Sequence, residues 1–126
     1  MKALLLVAHG SRRNASNDEV RELTAQLRQA DGSFQYVDCA FLELAEPSIP
    51  DGLRAAIAAD ADEVVVLPYF LSAGRHVVKD IPEEVAVVQA EHPDVVIRVA
   101  PYLGAADGVV QILLQQAASK DAAQSV

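Results

Sequence analysis

Ala3-Leu4-Leu5-Leu6-Val7-Ala8 is an uninterrupted apolar run near the start of the chain, and it decides the fold. Runs of this kind are typical of parallel strands that helices cover on both faces. A second such run is Val64-Val65-Val66-Leu67, whereas residues 35–41 and 95–100 each include one charged side chain. Because a charge within a strand is tolerated best at a sheet edge, we expect two central strands and two edge strands.

Four helical stripes alternate with these strands, each with apolar residues at spacings of three and four. The stripes are Val20, Leu23 and Leu27; Leu53, Ala56 and Ile57; Val85 and Val88; and Val110, Leu113, Leu114 and Ala117. Helix-start signals precede the first three, at Ser16-Asn17-Asp18-Glu19, Ser48-Ile49-Pro50-Asp51 and Asp80-Ile81-Pro82-Glu83. This alternation predicts an α/β fold, a doubly wound four-stranded parallel sheet in the order 2-1-3-4 with helices on both faces.

The length and the net charge of the chain limit how many domains it can have and which partners it can bind. The chain has 126 residues, and we expect one α/β domain at residues 1–118 and a frayed tail at 119–126. It carries 18 acidic and 10 basic side chains, a net charge of −8, which argues against nucleic acid or an anionic membrane as a partner. A single cysteine, with no secretion signal and no apolar run of about 20 residues, predicts a cytoplasmic protein.

The loops after the strands are the predicted site, because ligands of open parallel sheets bind beyond the carboxyl ends of the strands. His9 follows the first strand and His76 lies in the loop after the third, so these two histidines should meet, with Glu43 within reach. Two imidazoles and a carboxylate suit a transiently held divalent metal ion, since a closed structural site needs four ligands. A histidine at a strand end is more often a structural hydrogen-bonding group, and that alternative stays open.

Basic side chains occupy the same two loops. They are Arg12, Arg13, Arg75 and Lys79. We expect them to form a basic rim beside the histidines on an otherwise acidic protein, although each can also be an ordinary surface charge. Gly10 and Gly74 are expected to serve turns that need a positive φ.

Three motifs follow the first three strands. They read Leu5-Leu6-Val7-Ala8-His9-Gly10-Ser11-Arg12, then Phe41-Leu42-Glu43-Leu44-Ala45-Glu46-Pro47-Ser48-Ile49, then Pro68-Tyr69-Phe70-Leu71-Ser72-Ala73-Gly74-Arg75-His76-Val77-Val78-Lys79-Asp80-Ile81-Pro82. In order and spacing they resemble the sirohydrochlorin chelatases of the short CbiX type, members of the class II chelatase superfamily. The first motif alone is weakly diagnostic, whereas the first and third together are specific.

The resemblance implies a metal-inserting lyase that places a divalent metal ion into sirohydrochlorin, a polycarboxylate intermediate of cobalamin and siroheme synthesis. It implies that His9 and His76 bind the metal and that Glu43 belongs to the catalytic site. It implies no tightly bound cofactor, because Co²⁺, Fe²⁺ or Ni²⁺ is itself a substrate, with cobalt favoured and iron next. It also implies a homodimer with its active sites at the interface. The substrate-binding residues that we predict are Ser11, Arg12, Arg13, Phe70, Leu71, Arg75 and Lys79.

Two other functions remain to be weighed. A metal or tetrapyrrole carrier could use the same residues to bind without turnover, and sequence does not separate binding from catalysis. A phosphohistidine phosphatase also has a histidine after its first strand. Those enzymes place an arginine directly before that histidine, where this chain has Ala8.

Overall fold

Four strands form one parallel sheet in the computed structural model, which describes residues 1–30, 32–121 and 123. The strands are β1 (Lys2–Ala8), β2 (Tyr36–Phe41), β3 (Glu63–Pro68) and β4 (Val96–Val99). Their order is β2-β1-β3-β4, and Leu5 of β1 lies opposite Asp38 on one side and Val66 on the other. The predicted fold class and strand order are confirmed, and the two strands that carry an internal charge are the edges.

The helices are α1 (Asn14–Ala30), α2 (Ile49–Ala58), α3 (Ile81–Glu91) and α4 (Val109–Ala117). A π-helical turn (His76–Asp80) runs directly into α3, and a 3₁₀ turn (Leu103–Ala105) follows β4. None of the helices in the described residues is long and apolar enough to cross a membrane.

The larger core lies between the sheet and the pair α2 and α3. Leu5, Leu53, Val64 and Val88 are fully buried in it. Helix α2 packs very close to the sheet at Gly52, where an added Cβ would lie only 3.0 Å from that of Ala40. The close approach of α2 therefore depends on glycine at this position.

Helix α1 covers the opposite face and forms a second, smaller core. Val20 of α1 is buried there with Leu6, Cys39 and Phe41, and Leu23 packs against them partly exposed. Cys39 is a core residue, and burial raises the pKa of its thiol, so it is not a reactive group.

Two helix starts differ from the prediction. Helix α1 begins at Asn14, so Ser16 and Asn17 lie within its first turn and do not form the expected capping box. Helix α2 begins as predicted, with Ser48 as its N-cap accepting a hydrogen bond from the Asp51 N–H at 3.2 Å.

Helix α4 is present where the apolar stripe predicts it, but it lies outside the core. None of its residues is buried, and Val110, Leu113 and Leu114 are each more than 60% exposed. The apolar stripe of α4 therefore remains exposed in the described structure. Of the predicted tail, 119–126, residues 122 and 124–126 lie outside the described part of the chain.

Candidate metal-binding site

Backbone hydrogen bonds continue beyond the ends of the strands and join the loops that carry the site. The Leu42 N–H donates to the Ala8 carbonyl at 2.9 Å, and the Glu43 N–H donates to the His9 carbonyl at 3.0 Å. The pairing of β1 with β2 is thus prolonged by two residues. It fixes His9 and Glu43 side by side at the carboxyl end of the sheet.

Gly10 makes this close approach possible. Its φ is +93°, a conformation that L side chains rarely adopt. A Cβ on Gly10 would lie 1.7 Å from the Glu43 carbonyl oxygen. Gly10 therefore has the predicted positive φ. Gly74 does not have a positive φ, so the prediction is wrong at this position. Its carbonyl accepts hydrogen bonds from the Val77 and Val78 N–H groups at 3.1 Å, as in the first turn of a right-handed helix.

Asn17 braces the loop that follows His9. Its side chain is buried, accepts a hydrogen bond from the Ser11 N–H at 2.9 Å and donates one to the Ser11 carbonyl at 2.8 Å. Both backbone groups of Ser11 are thereby held, while its hydroxyl accepts a bond from the Arg13 N–H at 3.0 Å. The sequence prediction missed Asn17, because the residue resembled part of a helix cap.

His76 is positioned by the π-helical turn that precedes α3. Its Nδ1 lies 2.8 Å from an oxygen of Asp80, four residues later. The sequence suggested that Asp80 caps α3, but its side chain makes no capping bond there. Single π-helical turns are frequent at functional sites, and this one places a carboxylate behind the imidazole. The His-x-x-x-Asp spacing was the available signal for this pair.

The rings of His9 and His76 meet edge to face, with centroids 4.7 Å apart and planes at 68°. Nδ1 of His9 lies 3.0 Å from the Gly10 carbonyl oxygen. In the same way, Nδ1 of His76 lies 2.8 Å from Oδ2 of Asp80. Both partners are acceptors, so each Nδ1 carries a proton and each Nε2 of a neutral ring has a free lone pair. The two imidazoles are therefore set up as neighbouring donors for a metal ion.

Glu43 completes this cluster. One of its oxygens lies 3.4 Å from Nε2 of His9. A carboxylate and a neutral Nε2 are both acceptors, so their proximity is favourable only when a proton or a cation lies between them. The side chains of His9, His76 and Glu43 are 42%, 45% and 54% exposed, which leaves them accessible to a ligand.

A cleft of about 440 Å³ opens beside this cluster. Its lining residues are Leu42, Glu43, His76, Asp80, Glu83, Glu84 and Val87. Four of these are carboxylates, two of them in the first turn of α3. The cleft next to the histidines is thus an acidic surface, suited to attract cations.

The predicted basic and apolar residues lie elsewhere around the site. Arg12, Arg13, Arg75 and Lys79 are exposed, and none of them lines the acidic cleft. Phe70 and Leu71 line a separate cavity of about 210 Å³ together with Tyr69 and Leu103. Gly104 lies against this loop, where an added Cβ would be 1.9 Å from the Leu71 carbonyl oxygen. Gly104 is thus a third close-approach glycine, after Gly52 and Gly10, and the sequence prediction missed it.

The cluster does not make a complete metal site by itself. Among residues 1–30, 32–121 and 123, no group of three or more His, Cys, Asp or Glu side chains is arranged to hold a metal ion. The arrangement can supply imidazole ligands from one side and leave the remaining coordination positions to other molecules. Such an open site suits a metal ion that is taken up and released.

Comparison with known proteins finds one matching family model and several named relatives. The CbiX family model matches residues 3–120. A sirohydrochlorin cobaltochelatase of Methanocaldococcus jannaschii is 34% identical over 92 residues, which are 73% of this chain and 64% of that protein. A sirohydrochlorin ferrochelatase of Priestia megaterium is 32% identical over 117 residues, 92% of this chain and 43% of that protein. The chain thus spans less than two thirds of either relative's length.

A solved structure has the same fold over nearly its whole length. The crystal structure of a putative cobalamin biosynthesis CbiX protein from Marinobacter aquaeolei matches with a TM-score of 0.79 and 28% identity, covering 93% of this chain and 94% of that one. The names of these relatives do not favour the carrier or the phosphohistidine phosphatase.

Proposed function

The chain belongs to the CbiX family, and on that premise we propose that it is a sirohydrochlorin chelatase, which inserts a divalent metal ion into sirohydrochlorin. The observation that carries the proposal is the pair His9 and His76, whose rings touch and whose Nδ1 atoms are both bound to acceptors. This leaves two Nε2 lone pairs at the carboxyl end of the sheet, where ligands of such folds bind.

The two imidazoles hold the incoming ion while it loses water. Imidazole binds late first-row divalent ions well, but two such ligands bind less firmly than a macrocycle with four ring nitrogens. The metal therefore passes from the weaker to the stronger set of ligands. The open coordination of the site favours release of the metal into the ring.

Insertion also requires that two pyrrole N–H protons leave the ring. Glu43, 3.4 Å from Nε2 of His9, is suited to accept them or to pass them to solvent through the imidazole. The net reaction takes one sirohydrochlorin and one divalent ion and gives the metallated ring and two protons. Charge is balanced, and no reductant or oxidant is needed.

The exposed cations remain our proposed contacts for the substrate's carboxylates. They are Arg12, Arg13, Arg75 and Lys79. Along the chain, Gly10 and Ser11 separate His9 from Arg12 and Arg13. Phe70 and Leu71, which line the smaller apolar cavity, are proposed to contact the ring face. On this arrangement the polyanion approaches from the side of the basic loops, and the metal ion approaches from the acidic cleft.

Cobalt is the metal that we favour, with iron next and nickel as the remaining candidate. The named relatives include both a cobaltochelatase and a ferrochelatase, which supports the first two ions without ranking them. The geometry of an imidazole pair does not select among these ions, which bind nitrogen in a general order of affinity. A cytoplasmic homodimer remains part of the proposal. The length of the P. megaterium relative, of which this chain covers 43%, supports pairing of two such units.

The experiment compares His9→Ala and His76→Ala with His92→Ala, a matched control at the end of α3. Sirohydrochlorin and Co²⁺ are supplied anaerobically, both in large excess over protein, and insertion is followed by absorbance. We expect at least a 100-fold loss of rate in the first two variants, unchanged circular dichroism, and wild-type rates in the control. Wild-type rates in the two site variants would overturn the metal-binding role. Product that stops at one equivalent per chain would indicate a carrier instead.

A further inference from the structure

Leu44 has a backbone conformation that is costly for its residue type. Its φ is +66°, in the left-handed region that glycine adopts freely and that asparagine and aspartate tolerate. In the described part of the chain, Asp60 is the other non-glycine residue with a positive φ, of +76°. Asp60 is an exposed aspartate in the turn after α2, where this conformation is ordinary, whereas a bulky leucine in it is an outlier. The strain at Leu44 therefore needs an explanation of its own.

The strain arises from the way the loop after β2 is tied to its neighbours. The Glu43 carbonyl lies so close to Gly10 that an added Cβ there would be 1.7 Å from its oxygen. The Pro47 carbonyl accepts a hydrogen bond from the Phe41 N–H at 2.9 Å. The chain must therefore turn back to the end of β2 between Glu43 and Pro47, and Leu44 lies in this turn. Glycine would make the same turn without strain.

Packing within the chain does not explain why position 44 is a leucine. Two residues of the same loop are partly buried, Leu42 against the larger core and Ala45 against the smaller one. Leu44 belongs to neither core of the described residues and is 54% exposed. The cost of its backbone conformation is thus not offset by burial of the side chain. Strain of this kind clusters at ligand-binding sites.

Leu44 lies at the carboxyl end of the sheet, directly after Glu43. Consecutive Cα atoms are about 3.8 Å apart, so Leu44 is close to the carboxylate that lies 3.4 Å from Nε2 of His9. Leu44 is not among the residues that line the acidic cleft. A macrocycle around a metal ion at His9 and His76 extends well beyond the ion, with carboxylates at its rim and apolar faces. An exposed leucine here offers apolar area that a ring face can bury.

We propose that Leu44 is a specificity-determining residue of this site, whose side chain contacts a face of the tetrapyrrole ring beside Glu43. Burial against the ring offsets the backbone strain when the substrate binds, so the leucine serves the ligand and not the fold. This inference rests on the proposed function, because it takes the substrate to be sirohydrochlorin. It adds a contact from the loop after β2 to those proposed for Phe70 and Leu71 after β3.

Thermal stability tests whether the side chain serves the fold. Leu44→Asn removes the apolar group and introduces a residue that tolerates a positive φ. We expect a Tm equal to that of the wild type or up to about 4 °C higher, because strain is relieved and little packing is lost. A lower Tm would show that the leucine stabilises the folded chain, and it would overturn the proposal.

Binding and kinetics test the contact with the ring. Metal-free sirohydrochlorin is titrated calorimetrically, and KM values come from insertion of Co²⁺. We expect Leu44→Asn to raise the dissociation constant and the KM for sirohydrochlorin roughly tenfold, as for loss of about half of a leucine's burial, with the KM for the metal unchanged. Leu44→Met keeps an apolar side chain of similar volume and should stay within about threefold of the wild type. Asp60→Asn, at the other positive φ, is the matched control and should equal the wild type.

The outcomes separate this inference from the proposed function. If the wild type inserts the metal and Leu44→Asn binds sirohydrochlorin equally tightly, the ring contact is wrong and the chelatase stands. A rise in the KM for the metal alone would also contradict the ring contact, because it would assign Leu44 to the positioning of Glu43. A wild type that neither binds nor metallates sirohydrochlorin would refute the proposed function, and the ring contact with it.

Discussion

Asp80 is a positioning residue for His76, because its carboxylate lies 2.8 Å from Nδ1 and accepts the ring's proton there. This bond leaves Nε2 free and makes it a stronger donor toward a metal ion. The side chain of Asp80 is 30% exposed, less than the 45% of His76, and both side chains line the acidic cleft. Substitutions at Asp80 should therefore affect metal capture more than the fold.

We expect Asp80→Asn to raise the KM for the metal by roughly tenfold to a hundredfold, the usual effect of losing such a partner. The KM for sirohydrochlorin should change little, which separates positioning of the imidazole from general damage to the site. Asp18→Asn, an exposed carboxylate on α1 paired with Arg21, is the matched control. An unchanged metal KM in Asp80→Asn would show that the His76 ring keeps its orientation without this carboxylate.

At this scale the sequence predicts which residues meet but not how they are held. His9 and His76 could be brought together from strand order alone, since each follows one of two adjacent strands. The supporting contacts depend on three-dimensional detail: Asn17 reaches back six residues to Ser11, and Gly10 approaches Glu43 too closely for any side chain. Such contacts leave no periodic pattern in the sequence.

Among the elements, α3 has a role that its hydrophobic pattern does not reveal. Its first turn contributes Glu83 and Glu84 to the cleft beside His76. The two carboxylates produce a negative potential at the mouth of the cleft, and a divalent cation is drawn to it at low ionic strength. Helix α3 thus both covers the larger core and shapes the electrostatic approach to the site.

We expect Glu83→Gln/Glu84→Gln to lower kcat/KM for the metal by roughly tenfold at low ionic strength. Two unit charges that act on a divalent ion over an assumed distance of about 10 Å in water contribute about 1.7 kcal/mol before screening reduces it. The difference from wild type should shrink as salt is added, because screening removes the attraction. Glu19→Gln/Glu22→Gln on α1, across the sheet, removes the same charge and is the control. Equal losses in both double variants would attribute the effect to net charge and not to this cleft.

The strands and helices could be predicted where their apolar residues form a continuous run or recur at a regular spacing. The central strands β1 and β3 follow from continuous apolar runs, and α2 follows from Ser48 and Pro50 at its start. The start of α1 was misplaced because Ser16 and Glu19 have capping-box spacing inside a helix that begins at Asn14. The π-helical turn before α3 could not be predicted, because no residue type has a known preference for this conformation. The turn occurs together with the bond between His76 and Asp80, which is visible only in the folded chain.

For the whole molecule, strand order followed from charge placement, and the packing of α4 did not follow from its amphipathic pattern. An apolar stripe requires cover, but it does not specify whether the cover belongs to the same chain. In the described residues the stripe at Val110, Leu113 and Leu114 is more than 60% exposed. The sequence of one chain therefore predicts the helix but not the surface that covers its apolar face.

The homodimer of the proposed function has a thermodynamic consequence that can be measured on the whole molecule. If unfolding separates two chains, each tenfold rise in concentration adds about 1.4 kcal/mol to the free energy of unfolding per dimer. Two chains of 126 residues have an entropy of unfolding near 0.5 kcal/mol/K, taking about 2.1 cal/mol/K per residue. We therefore expect the Tm to rise by about 2–3 °C per tenfold increase in concentration. Calorimetry on the wild type from 5 to 500 μM checks this. A Tm that stays constant over this range would contradict the proposed homodimer.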